Sequence, residues 1–106
     1  MKPRIGDIMF NAANPPLMAQ FWAAVMHYEI QELDETFAAI VDPERQSPRF
    51  CFQQLVVPKT NRNRIHLDLY VVDMESEVER ILALGATKLR FSQSDGISWT
   101  VMLDPE

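Results

Sequence analysis

The same order of structural signals occurs twice along this sequence. Asp7 lies seven residues before Asn14, which opens a helix-like segment, and His66 lies seven residues before Asp73, which opens another. Both halves also contain an apolar residue followed by Asp-Pro-Glu, at Val41–Glu44 and at Leu103–Glu106. A repeated order of features indicates a duplicated supersecondary unit. The chain is therefore limited to folds built from two similar halves.

The first half follows the order β-α-β-β-β. Residues 5–12 alternate with period two, which is typical of a strand with one apolar face. Asn14 before two prolines predicts a helix start, because Asn caps free N–H groups and Pro is tolerated in the first turn. The helix is expected to end near His27. Its expected apolar stripe consists of Leu17, Phe21 and Val25, joined by Met18 and Trp22. The three strands that follow are expected at 29–33, 36–41 and 49–57.

The second half repeats this order but stops early. Residues 65–71 alternate again, and Asp73 is expected to cap a helix that ends before Gly85. A short strand at 88–91, a turn at 92–96 and a strand at 97–103 are expected to follow. Nothing corresponds to the strand at 49–57. We therefore expect the last strand of the second repeat to be absent from the sequence, which would leave an unpaired sheet edge.

The composition excludes several functional classes. With 106 residues the chain is expected to form one domain, with repeat one at about 4–58 and an incomplete repeat two at about 63–106. A net charge of −5 argues against nucleic-acid binding, which needs clustered Lys and Arg. No apolar run approaches the roughly 20 residues that span a bilayer. The single cysteine, Cys51, fits a reducing compartment, and we expect a cytoplasmic protein without membrane partners.

These segments resemble a known family, the glyoxalase-like domains of the vicinal oxygen chelate superfamily. The superfamily also contains bleomycin-resistance proteins and extradiol dioxygenases. The resemblance covers nearly the whole chain and rests on the segments 14–24, 66–69, 73–87 and 99–106. It implies an α+β fold in which two βαβββ repeats form a curved mixed sheet around a cleft, here without the final strand.

The resemblance also implies where metal ligands would lie. The metal enzymes of the family carry ligands on the first and last strands of each repeat. Asp7 occupies the first position, where His is usual, and Gln53, or less favourably Gln54, occupies the second, where Glu is usual. His66 matches the third position, and the fourth falls on the absent strand. His66 is interpreted either as a metal ligand or general base, or as a pocket histidine held by a neighbour. Because Gln is a neutral and uncommon ligand, we expect no cofactor or a weakly bound divalent metal.

Three further residues are expected to line the cleft. Asp68 and Tyr70 alternate with His66 along one strand, and Trp99 lies on the last strand. Aromatic rings there would suit a flat or apolar ligand. Cys51, between two phenylalanines, is expected to be a buried, inert thiol. No catalytic residue is assigned.

The favoured function is small-molecule binding of the bleomycin-resistance type, with no complete metal site. The alternative is a metal-dependent lyase, isomerase or dioxygenase acting on a substrate with two adjacent oxygens. A third hypothesis is a regulatory module with a vestigial cleft. The expected partners are a small-molecule ligand and a second copy of the chain, because a chain this small gains core by pairing.

Overall fold

A computed structural model describes residues 2–55, 65–103 and 105 of the chain. The elements in chain order are β1 (Arg4–Ala12), α1 (Pro15–Met26), β2 (Glu29–Leu33), β3 (Phe37–Val41), β4 (Arg49–Gln54), β5 (Ile65–Tyr70), α2 (Met74–Ala83), β6 (Thr87–Ser94) and β7 (Ile97–Leu103). They form two compact units. The first is Arg4–Tyr70, and the second is Val71–Glu106 together with the first residues of the chain.

The first unit is a five-stranded mixed sheet with α1 on one face. The strand order is β2-β3-β4-β1-β5. β1 pairs parallel with β4 and antiparallel with β5, and β3 pairs antiparallel with β2 and β4. The expected α+β class with a mixed sheet is confirmed. β5, the predicted opening strand of the second repeat, lies in the first unit because it pairs along β1.

Helix α1 begins and ends where the sequence predicts. The Asn14 Oδ1 accepts a hydrogen bond from the Leu17 backbone N–H at 3.2 Å, and two prolines occupy the first turn. At the other end His27 adopts the left-handed conformation with φ of 57°, and its N–H bonds to the Ala23 carbonyl. These two ends confirm that capping residues fix the limits of the helix.

The predicted apolar stripe of α1 is wrong in its main positions. Leu17, Phe21 and Val25 are 60%, 56% and 50% exposed, whereas Ala19 and Ala23 are buried. The two alanines pack against large side chains of β3 and β4, because small helix residues let the helix approach the sheet closely. Met18 and Trp22 pack against the same core as expected. The core cluster consists of Ala12, Ala19, Ala23, Ala38, Ile40 and Phe52.

The second unit is a hairpin of β6 and β7 with α2. Asp73 caps α2 as predicted, accepting a bond from the Ser76 N–H, and Gly85 follows the helix with φ of 115°. β6 is longer than predicted, since the turn is confined to Asp95 and Gly96. Both have positive φ, 50° and 76°, as a two-residue turn between twisted strands requires. No residue of α2 is buried.

Several predictions fall outside the described residues. These are the end of the strand predicted to reach Val57, the linker at 59–64, and Asp104 and Glu106 of the second Asp-Pro-Glu. Within the part of the chain that is described, neither helix has the length and apolar character needed to cross a membrane.

The two faces of α1 should respond differently to substitution. Leu17→Gln changes an exposed side chain and is expected to alter the free energy of unfolding by less than about 0.5 kcal/mol. Ala19→Leu overfills a closed contact and is expected to cost about 1–3 kcal/mol. Urea denaturation of the two variants beside the parent chain, at a protein concentration where light scattering shows a monomer, measures both values. A larger loss for Leu17→Gln than for Ala19→Leu would contradict this orientation of the helix.

Candidate functional site

The face of the first sheet opposite α1, here called the site face, collects most of the predicted functional residues. Register brings Asp7 beside Arg49 and Asp68, and brings Met9 beside Cys51 and His66. Directly paired residues project from the same side of a sheet. The site face consists of Asp7, Met9 and Asn11 of β1, Phe37 and Ala39 of β3, Arg49, Cys51 and Gln53 of β4, and His66, Asp68 and Tyr70 of β5.

A bidentate ion pair lies at one end of the site face. The Arg49 Nε donates to Asp7 Oδ1 at 2.8 Å, and its Nη2 donates to Asp7 Oδ2 at 2.9 Å. The Arg49 Nη1 donates to the Gln31 Oε1 at 2.8 Å. Two parallel bonds from one guanidinium to one carboxylate are among the stronger polar contacts in proteins. The pair therefore fixes both side chains in one geometry.

Tyr70 joins this ion pair from β5. Its hydroxyl donates to Asp7 Oδ2 at 3.0 Å, and the Arg4 guanidinium lies 4.7 Å from the ring centroid. The ring lies against the backbone of β1 at Gly6. A Cβ on Gly6 would lie 2.5 Å from the Tyr70 ring carbons, so this packing requires a residue without a side chain.

Asp7, Arg49 and Tyr70 stabilise one another's protonation states. Burial alone would raise the pKa of Asp7, but hydrogen bonds from Arg49 and Tyr70, with the charges of Arg49 and Arg4, lower it. Burial and the Asp7 carboxylate together raise the pKa of Tyr70. At neutral pH the group therefore holds an ionised carboxylate, a guanidinium and a neutral phenol.

The centre of the site face is apolar. Met9, Ala39 and Cys51 are buried there and form a small cluster against which Phe37 packs. Burial raises the pKa of the Cys51 thiol to about 12, although the Arg49 charge opposes the shift. Because the thiol stays protonated, these properties agree with the inert, buried cysteine that the sequence predicts.

Polar side chains border this apolar centre. The Gln53 Nε2 donates to the Asn11 Oδ1 at 2.9 Å. On β5, the His66 Nε2 lies 3.4 Å from Asp68 Oδ1, which matches the interpretation of His66 as a histidine held by a neighbour. Burial raises the pKa of Asp68, against the His66 charge, and the nearby Asp7 carboxylate adds to the rise.

The predicted metal positions share the site face but have other partners. Both oxygens of Asp7 are engaged by Arg49 and Tyr70, and Gln53 bonds to Asn11. Among residues 2–55, 65–103 and 105, no three His, Cys, Asp or Glu side chains come together in a group suited to a metal ion. A carboxylate neutralised by a guanidinium does not suit a divalent cation, so these residues as arranged do not fit a metal.

The predicted cleft residues lie in both units. Asp68 and Tyr70 lie on β5 of the first unit, at the site face. Trp99 lies on β7 of the second unit, where it pairs with Ser92 and is partly exposed.

Sequence reasoning did not single out Arg49 or Gln31. The available signal was the position of Arg49 at the start of the strand predicted at 49–57. Opposite charges on two strands would have suggested an ion pair, but only the register of β1 against β4 places Asp7 opposite Arg49.

Comparison with known proteins identifies the family. The model of the glyoxalase-like domain matches residues 7–106. The chain belongs to the glyoxalase-like domain family. Membership of this family is consistent with the vicinal oxygen chelate superfamily. A search of curated proteins gives no significant match.

A solved structure is also similar to this glyoxalase-like chain. It is described as the NAD-dependent benzaldehyde dehydrogenase from Legionella pneumophila, with a TM-score of 0.70 and 16% identity. The match covers 93% of this chain and 89% of that chain. At this identity the likeness shows a shared fold and carries no information on activity.

The Asp7–Arg49 pair should be a large contributor to stability. Asp7→Asn leaves a partly buried guanidinium without its counter-charge and is expected to cost about 3 kcal/mol in the free energy of unfolding. Glu29→Gln removes the exposed pair with Arg45 and serves as the control, with little change expected. Urea denaturation at neutral pH measures both. Equal losses in the two variants would contradict this role of Asp7.

Acid should remove the stabilisation that Asp7 provides. Because the pKa of Asp7 is lower in the folded chain than its usual 3.8, its contribution is complete above that value. The contribution is then lost as the pH falls through the folded pKa. The difference in unfolding free energy between the parent chain and Asp7→Asn is expected to be constant from about pH 7 to 5 and to shrink below about pH 4. A difference that grows on acidification would contradict the direction of the shift.

Proposed function

We propose that this glyoxalase-like chain is a cytoplasmic small-molecule binding protein whose ligand lies on the site face. The observation that carries the proposal is the gathering of Asp7, Arg49, Tyr70, His66 and Asp68 on the one face of the sheet that α1 leaves open. Binding sites are typically mostly apolar surfaces with a few convergent polar groups. The site face has a buried apolar centre bordered by convergent polar side chains, although polar residues are the majority of the face.

The arrangement of the site face suggests what each group does. Met9, Ala39 and Cys51 are buried beneath the site face, so they hold the residues around them in place and do not themselves contact a ligand. Arg49 and Asp7 neutralise each other, so their role is to hold Tyr70 and the neighbouring strands in place. His66 and Asp68 are more exposed, and we propose that they make the polar contacts with the ligand.

We propose that binding on this face proceeds without a resident metal. The proposal is supported by the donor set, since the Asp7 carboxylate is taken by a guanidinium and a phenol. A metal-dependent lyase, isomerase or dioxygenase would need Asp7 released from both partners, at a considerable cost in free energy. No step of catalysis is therefore assigned to these residues.

We also propose that the chain is built from two βαβββ repeats and that a further strand completes the second. The order β1-α1-β2-β3-β4 is observed, and β5-α2-β6-β7 follows the same order. In the first repeat β3 lies between β2 and β4, whereas β7 pairs with β6 alone among the described strands.

We also propose that the chain forms a homodimer. The proposal is supported by the exposed Leu17, Phe21 and Val25 of α1, a helix that carries no charged residue.

A thermal-shift screen tests ligand binding at the site face. A panel of small aromatic compounds is screened against the full chain, and the affinity of any hit is measured by calorimetry. We expect His66→Ala to weaken a hit at least about tenfold, because a lost polar contact in a ligand site is worth about 1.4 kcal/mol or more. Glu75→Gln on α2 is the matched control and should leave the affinity unchanged.

Two results would contradict the proposal. One is a hit whose affinity is the same in the parent chain and in His66→Ala. The other is stoichiometric Mn, Fe, Ni or Zn in the purified protein, lost in His66→Ala, with a raised melting temperature on adding that metal to the parent chain. The second result would favour the metal-dependent alternative.

A further inference from the structure

A β-bulge in β1 places Arg4 on the same side of the sheet as the site face. In a regular strand Arg4 and Asp7, three residues apart, would project from opposite sides. The register of β1 against β5 shifts just before Asp7, and Gly6 is the extra residue of the bulge. Arg4 therefore pairs with Tyr70, while Asp7 pairs with Asp68. Paired residues project from the same side, so all four side chains share the site face.

The packing of Tyr70 holds this bulge in place. The Tyr70 ring fills the space where a Cβ on Gly6 would lie, 2.5 Å from the ring carbons. Its hydroxyl donates to Asp7 Oδ2 at 3.0 Å. Bulges re-aim side chains and are over-represented beside active sites. This bulge fixes the Tyr70 ring and brings Arg4 beside it.

The Arg4 guanidinium lies over the Tyr70 ring, with its central carbon 4.7 Å from the ring centroid. The electrons of an aromatic ring attract a cation held over its face. Within residues 2–55, 65–103 and 105, no carboxylate lies at ion-pair distance from Arg4 and no acceptor bonds to its guanidinium. By contrast, Asp7 and Gln31 accept the hydrogen bonds of Arg49. Arg4 is thus positioned by a ring and left with open donors.

This end of the site face carries more positive than negative charge. Arg4 and Arg49 are two cations, Asp7 is one anion, and the phenol beside them is neutral. The charge of Arg4 reaches this group, since it helps to lower the pKa of Asp7. The next carboxylate, Asp68, lies within 3.4 Å of His66. Among the described residues the charge of Arg4 is therefore the one at this end without a counter-charge.

We propose that the ligand of the site face carries a carboxylate that pairs with Arg4 beside the Tyr70 ring. The inference rests on the proposed function and names the class of its ligand. A guanidinium matches a carboxylate through two parallel N–H···O bonds. Because the ring and the bulge already hold the guanidinium, little side-chain freedom is lost when the ligand binds.

The spacing along β5 sets the length of this ligand. Tyr70 and His66 are four residues apart, which is about 13 Å along a strand, and Asp68 lies between them. A ligand that reaches from Arg4 to the pair of His66 and Asp68 is therefore elongated. Its far end carries a hydrogen-bond donor such as a hydroxyl, because a carboxylate like that of Asp68 accepts hydrogen bonds.

Two matched probes test the carboxylate on the full chain at neutral pH. The first is a biphenyl with a carboxylate at one end and a hydroxyl at the other. The second is the corresponding amide, which has the same shape and no charge. We expect calorimetry to show at least about tenfold tighter binding of the acid, because hydrogen bonds between charged groups are about twice as strong as neutral ones.

Two variants of the chain locate the contact. Arg4→Gln removes the guanidinium from an exposed position and should weaken binding of the acid at least about tenfold, with binding of the amide unchanged. Arg80→Gln removes the same charge from an exposed position of α2 and is the matched control. It should leave the binding of both probes unchanged. Circular dichroism checks that both variants are folded.

Three outcomes would overturn the proposal. They are no saturable binding of the acid, equal binding of the acid and the amide, and acid binding that Arg4→Gln does not weaken. Failure of the proposed function is distinguishable through His66→Ala. If both probes bind equally and His66→Ala weakens both, the ligand site stands and the carboxylate pairing fails. If acid binding needs Arg4 but not His66, the pairing stands and the proposed contact with His66 fails.

Discussion

The ion pair between Asp7 and Arg49 is the contact on which the described site depends. It joins β1 to β4, and the Tyr70 hydroxyl extends it to β5, so three adjacent strands are tied by side chains as well as by backbone. A buried carboxylate needs such partners, because its charge is otherwise costly to remove from water. The same partners make Asp7 a structural residue. Asp7, for which the resemblance predicts a metal position, here joins three strands of the sheet.

The two units differ in how complete their cores are. In the first, a helix with small inward residues packs on a sheet whose aromatic side chains fill the space below it. The second unit is a helix and a hairpin, which local sequence signals form: a cap at Asp73 and a tight turn at Asp95 and Gly96. These elements bury little of their side-chain surface. Local signals are enough to form elements of structure, while a core needs elements from more than one part of the chain.

This difference explains what the sequence could and could not predict. Period-two alternation and caps gave the elements and their order, since these depend on neighbours in sequence. The inward face of α1 was not predictable, because this helix carries no charged residue and both of its faces are apolar. Likewise the partner of Asp7 depends on strand register, a non-local property that spacing along the chain does not give. The positions of His66, Asp68 and Tyr70 on one face were predictable because they follow from alternation within β5.

The contact of Tyr70 with Gly6 links two positions that are far apart in sequence. The ring occupies the volume where a side chain on residue 6 would start, so the two positions share one space. During evolution position 6 is not free to vary alone: a larger residue there is compatible only with a smaller one at position 70, which would remove the hydroxyl from Asp7. Covariation between these two columns of a family alignment would therefore show which relatives keep the hydrogen bond from position 70 to Asp7. It would also show in which relatives this carboxylate is available for another use.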